Sequence, residues 1–71
     1  TDQAVVRATR LWKLTRRQRQ VLELLACGLT NGIVAEMLQI GDRAVEYHVS
    51  AILDKAGAAN RTMLISKLLD L

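Results

Sequence analysis

His48, Ser50 and Cys27 are the residues whose types could carry nucleophilic or acid–base chemistry, and their spacing argues against it. Positions two apart on a helix point in different directions, so Ser50 cannot hand a proton to His48. Nothing else in the chain completes a triad. No second ligand stands at metal-binding spacing from His48, and a single cysteine excludes an internal disulfide or a multi-thiolate metal cluster. The sequence therefore reads as no enzyme, with no cofactor and no metal. His48 is expected to be packed and hydrogen-bonded, and Cys27 to be a small buried filler in a reducing, cytoplasmic setting.

What remains is non-covalent chemistry, and the stretch "IGDRAVEYHVSAIL" carries a concentrated set of it. On a helical wheel Val45, Val49, Ile52, Leu53 and Ala56 fall within about 100° of arc, the width of a core-facing stripe. Arg43, Glu46, Tyr47, Ser50 and Asp54 lie opposite, and His48 sits at the edge of the stripe. A helix so divided offers donors and acceptors on a rigid outward face. That face is more acidic than basic.

Charge elsewhere runs the other way. The 71 residues carry 10 Lys and Arg against 7 Asp and Glu, a net +3. Arg7, Arg10, Lys13, Arg16, Arg17 and Arg19 fall in one run without an acid, whereas residues 31–54 hold Arg43 alone against Glu36, Asp42, Glu46 and Asp54. The basic run is compatible with a polyanionic partner and equally with a solvated surface. No apolar stretch approaches the roughly 20 residues that cross a bilayer, and no signal peptide is visible. Beginning at Thr1, the chain reads as a piece of a larger protein.

The elements that must hold these groups follow from the punctuation. With no proline, Gly28, Gly41 and Gly57 mark the breaks. Thr15 and Gln18 form a capping box that starts a helix running to about Cys27, with Leu22, Leu25 and Ala26 along one side. Thr30 or Asn31 caps a shorter helix to about Leu38, turning Val34, Ala35 and Leu38 inward. The helix from Asp42 follows. Asn60 caps a last helix in which Leu64, Leu68 and Leu71 line up, and Ile65 and Leu69 widen its apolar arc to about 160°, more than one small core requires. Upstream, "AVVRATRLWKL" forms another turn or two of helix, or an arm that packs Trp12 on the body.

Two helices joined by the short span Gln39 to Asp42, framed by two more, make an all-α arrangement that suits a helix-turn-helix DNA reader. The residues go further. "LTRRQRQVLELLACGLTNGIVAEMLQIGDRAVEYHVSAILDKAGAANRT", residues 14 to 62, closely resembles the LuxR-type helix-turn-helix domain of quorum-sensing and response regulators. The family's pattern of L-T-x-R-E-x-x-V-L, G-L-S/T-N, I-S-x-x-T-V-K-x-H and K-L-G-x-x-N-R is matched in order and spacing. The resemblance implies a four-helix domain over residues 14–71, preceded by an arm or linker at 1–13. It also implies binding to double-stranded DNA with Asp42 to Ala56 in the major groove, and a homodimer through the last helix at Ile65 and Leu69.

Departures fall at contact positions. The family glutamate is Gln18, the lysine after G-L-S/T-N is Gly32, and the threonine and lysine of T-V-K are Ala44 and Glu46. On the resemblance, Arg43 pairs with phosphate or guanine, Glu46 accepts from cytosine N4, Tyr47 touches a base edge or thymine methyl, and Ser50 lies beside them. Arg16, Arg17 and Arg61, from the basic cluster and the N-R block, are expected to supply phosphate contacts, with Thr30 and Asn31 of the G-L-T-N block counted among the DNA-binding residues. The alternative is a degenerate helix-turn-helix that docks a basic protein through Glu46, Tyr47 and Asp54. A sensory or receiver domain is expected upstream. The target site and the direction of regulation stay open.

Overall fold

Thr15 starts the second of the five helices among the described residues by the mechanism its sequence implies. In a computed structural model that describes residues 2–71, the Thr15 Oγ1 accepts from the Gln18 backbone N–H at 3.1 Å, and the Gln18 Oε1 accepts from the Thr15 N–H at 3.0 Å. Two of the donors that a helix start leaves orphaned are thereby satisfied. The helices are α1 (Asp2–Leu11), α2 (Arg16–Ala26), α3 (Asn31–Leu38), α4 (Asp42–Ala56) and α5 (Arg61–Leu69). Thr30 caps α3 through its hydroxyl and Asn60 caps α5 through its side-chain oxygen. Gly41, at the N-cap of α4, makes no side-chain cap bond.

Left-handed residues follow the first four helices, whereas α5 ends at Asp70 in the right-handed region. Gly57, at φ 68°, closes α4 in a conformation that costs glycine little. Lys13 and Gln39 adopt φ 54° and 57° without glycine's freedom. Gln39 occupies the tight turn between α3 and α4, so the short connection between the two helices comes with a strained residue. Lys13 ends α1 in the same way, with the Leu14 N–H donating to the Thr9 carbonyl.

The core forms where the apolar stripes converge. Val21, Leu22 and Leu25 of α2 meet Val34 and Ala35 of α3, Val45, Ile52 and Ala56 of α4, and Leu64 and Leu68 of α5, all buried. The inward residues expected from periodicity are therefore inward, with Ala26, Leu38, Val49, Leu53 and Leu71 packed at the core's margin. The four helices inferred from the glycines and caps are α2 to α5. The upstream segment is a ten-residue helix, longer than another turn or two. Its Val5 and Ala8 are 2% and 0% exposed, and they sit at i and i+3 as one face of a helix requires. Trp12 packs half-buried against the same core. None of the described helices is long and apolar enough to cross a membrane.

Candidate nucleic-acid interface

Burying Val45 and Ile52 at 0% exposure fixes the rotation of α4, and that rotation decides what faces solvent. Arg43, Glu46, Tyr47, Ser50 and Asp54 are all exposed, Tyr47 at 72%. These five residues form a continuous outward face on a 15-residue helix of about 22 Å. Asp42 in the first turn and Lys55 in the last complement the helix dipole. The Tyr47 and His48 rings meet edge to face, with centroids 5.8 Å apart and planes at 68°, which links the reading face to the margin of the core.

His48 differs from its expected state in one respect. It is half-buried at the stripe's edge, but its Nδ1 is buried with no hydrogen-bond partner among the described residues. Cys27 also differs. It caps the end of α2 and is exposed, because the chain leaves the helix there through Gly28 at φ 84° and carries the side chain away from the core.

The basic residues divide into committed and uncommitted groups. Arg7 donates to the Leu71 backbone oxygen at 2.7 Å, and Arg19 pairs with Glu23 at 3.0 Å along α2. Arg16 and Arg17 are exposed and make no side-chain hydrogen bond among the described residues. They occupy the first turn of α2, which holds no acid. Two cations at the positive end of a helix dipole are mildly unfavourable, by about 0.3 to 1 kcal/mol each. An anion placed there would relieve them.

Arg61 lies in a different setting. Half-buried at the start of α5, its Nη2 donates to the Leu29 carbonyl at 2.6 Å and its Nη1 to the Asn31 Oδ1 at 3.4 Å. Asn31 and Arg61 are therefore brought together, with Thr30 beside them as the cap of α3. Part of the guanidinium's donor fork is used inside the protein.

Leu69 is 74% exposed and Ile65 half-buried on the same side of α5. The amino-terminal segment, which could have covered them, leaves Leu69 open. A groove of about 610 Å³ between α5 and the end of α2 is lined by Leu25, Leu29, Arg61, Ile65 and Leu69 among others. One residue outside the expected site joins α4 to the start of α2. Lys55 donates to the Lys13 carbonyl at 2.9 Å and to the Gln18 Oε1 at 2.8 Å, across 42 and 37 positions of chain. Its place in the last turn of α4 and in the K-L-G-x-x-N-R block marked it, and neither signal names a tertiary partner.

A helix that presents a polar face across a tight turn from its partner helix, with uncommitted cations nearby, defines a helix-turn-helix domain. Residues 13–68 match the family model of bacterial regulatory proteins, luxR family, and the chain belongs to that family, whose members are transcription regulators that bind DNA. It is 40% identical over 52 residues to the transcriptional regulatory protein DegU of Brevibacillus brevis, covering 73% of this chain and 22% of that protein. It is 44% identical over 55 residues to the glycerol metabolism activator of Pseudomonas putida, covering 78% and 25%. It is also 36% identical over 56 residues to the spore germination protein GerE of Bacillus subtilis, covering 79% and 76%. The chain spans about a quarter of the length of the first two relatives and about three quarters of the third. No solved structure matches.

Proposed function

We propose that this chain is the sequence-reading module of a cytoplasmic transcription regulator in which α4 selects sequence while charges elsewhere hold the DNA backbone. The supporting observation is the rotation of α4: with Val45 and Ile52 buried, Arg43, Glu46, Tyr47 and Ser50 project together into solvent. Phosphate neutralisation supplies most of the affinity for duplex DNA, and base edges supply specificity. An acidic reading face is then tolerable. Glu46 accepts from cytosine N4, Tyr47 meets a base edge or thymine methyl, and Arg43 reaches phosphate or guanine. Arg16 and Arg17 carry the backbone contacts, assisted by Thr30, Asn31 and whatever donors Arg61 has left.

Residues 14–71 form the DNA-binding domain in this reading, and residues 1–13 connect it to a sensory or receiver domain. The coverage of the longer relatives, about a quarter of each, is compatible with such a domain. Two copies pair through Ile65 and Leu69 of α5, placing their reading helices about one DNA turn, ~34 Å, apart on an inverted repeat. The exposed Leu69 and the adjoining groove support that contact.

A second reading is favoured by the excess of acid on α4: the face docks a basic protein through Glu46, Tyr47 and Asp54. Selection from random-sequence duplexes decides between the two. A palindromic consensus supports the regulator, and weak, salt-labile, unselective binding supports the docking module. With a consensus in hand, Glu46→Ala is expected to relax preference at one base pair by about 1 to 3 kcal/mol.

A further inference from the structure

We propose that Lys55 is a positioning residue for DNA reading, resting on the reading above: it locks the far end of α4 to the basic start of α2 so that base contacts and phosphate contacts keep a fixed register. Lys55 stands 12 positions beyond Arg43 on α4, at about 1.5 Å per residue, so it is at the opposite end of the reading face. Its ammonium has three donors, and two are used, on the Lys13 carbonyl and the Gln18 Oε1 at 2.9 and 2.8 Å. Both acceptors are neutral and they flank Arg16 and Arg17, Lys13 before them in the chain and Gln18 just after. Gln18 is only 7% exposed, and the same Oε1 also receives the Thr15 N–H. One buried oxygen thus joins the cap of α2 to the end of α4.

The geometry matters because apolar packing confines the tilt of α4 only to within about 15 to 20°. Burial of Val45, Ile52 and Ala56 is non-directional, whereas a hydrogen bond weakens steeply as its angle degrades. A tilt of about 5° about one end of a helix roughly 22 Å long moves the other end by about 2 Å. Recognition geometry holds to about 0.5 Å. A fastener at the Lys55 end therefore changes where Arg43, Glu46 and Tyr47 stand relative to Arg16 and Arg17. Lys13, at φ 54°, sits in the turn between α1 and α2, so the carbonyl that Lys55 meets belongs to the connection and not to a helix.

The bland account makes Lys55 a phosphate contact, and the two accounts diverge for a substitution that leaves every charge in place. Gln18→Leu removes the side-chain acceptor and leaves the ammonium held by the Lys13 carbonyl alone. Binding is measured on the duplex recovered by the parent chain from random-sequence selection and on an unselected duplex, across salt, at a temperature where circular dichroism shows parental helix content. Positioning predicts a specific-to-nonspecific ratio lower by about tenfold, the scale of one mismatched base pair, with the salt slope unchanged. Gln18→Glu, which keeps both acceptors, is expected to retain the ratio. If Gln18→Leu does not fold, Lys55→Gln leaves the capping box intact and must give the same loss at the parental slope. A parental ratio in Gln18→Leu, or in Lys55→Gln a slope smaller by about 0.9 with the ratio kept, overturns the proposal. A parent chain that recovers no consensus overturns instead the DNA reading on which it rests.

Discussion

The Arg61 Nη2 donates to the Leu29 carbonyl at 2.6 Å, which ties the start of α5 to the turn that precedes α3. Leu29 is the last residue before the Thr30 cap, so this bond fixes the chain where α3 begins. The residue that family position marks as a phosphate contact is also an internal brace.

Removal of that brace should be visible in the free protein. Hydrogen bonds to charged groups contribute about 1.5 to 3 kcal/mol, and partial exposure of Arg61 places the cost of Arg61→Ala near the lower end. Thermal melting should fall by about 4 to 8 °C per kcal/mol for a domain of this size. An unchanged melting temperature together with a large loss of DNA affinity would return Arg61 to a purely phosphate-binding role.

Arg16 and Arg17 should show the opposite relationship between stability and binding. Replacing both by glutamate places anions at the positive end of α2, so the free domain is expected to gain about 0.3 to 1 kcal/mol per position. DNA affinity should collapse, and with the milder Arg16→Gln and Arg17→Gln the slope of log K against log salt should shrink by about 0.9 for each phosphate no longer neutralised. Denaturant melts and salt titrations of the same variants check both halves. A slope equal to the parent's removes the division of labour between α4 and α2.

Pairing through α5 is best probed at Leu69 rather than Ile65. Leu69 is 74% exposed, so Leu69→Glu should leave the fold intact, whereas Ile65→Glu also places a charge against half-buried surroundings. Sedimentation of Leu69→Glu is expected to show fewer dimers than the parent at equal concentration and an unchanged melting temperature. Equal monomer fractions would leave the α5 contact without support.

The first helix should matter to stability as well as to linkage. Val5 is 2% exposed within the common core, and burying a valine side chain stabilises by roughly 1.5 to 3 kcal/mol. Val5→Ala should lower the denaturation free energy by about half of that or more, because a cavity adds to the forfeited transfer free energy. Arg7→Ala, which removes only an exposed bond to Leu71, should have a small effect. Equal effects from the two would mean that α1 is held by its end rather than by its apolar face.

Helix starts and the rotation of each helix were legible in the residues alone. A capping box is complete within four positions, as Thr15 and Gln18 show, and the stripe of Val45, Ile52 and Ala56 repeats with the helix itself. The family blocks added the family, which the comparison with known proteins bears out. Such signals act over a few residues, so reading along the chain captures them.

Contacts across the fold had no such signal. Lys55 meets Gln18 across 37 positions, Arg61 meets Leu29 across 32, and Arg7 meets Leu71 across 64. Nothing in the types of these residues selects those partners over solvent or phosphate. The exposure of Cys27 and the orphaned Nδ1 of His48 belong to the same class, because both depend on how the chain leaves or packs a helix. Local hydrogen bonding and periodicity determine each helix and its outward face; only the packing of helices distant in sequence decides which charged groups are tied within the protein and which stay available to a ligand.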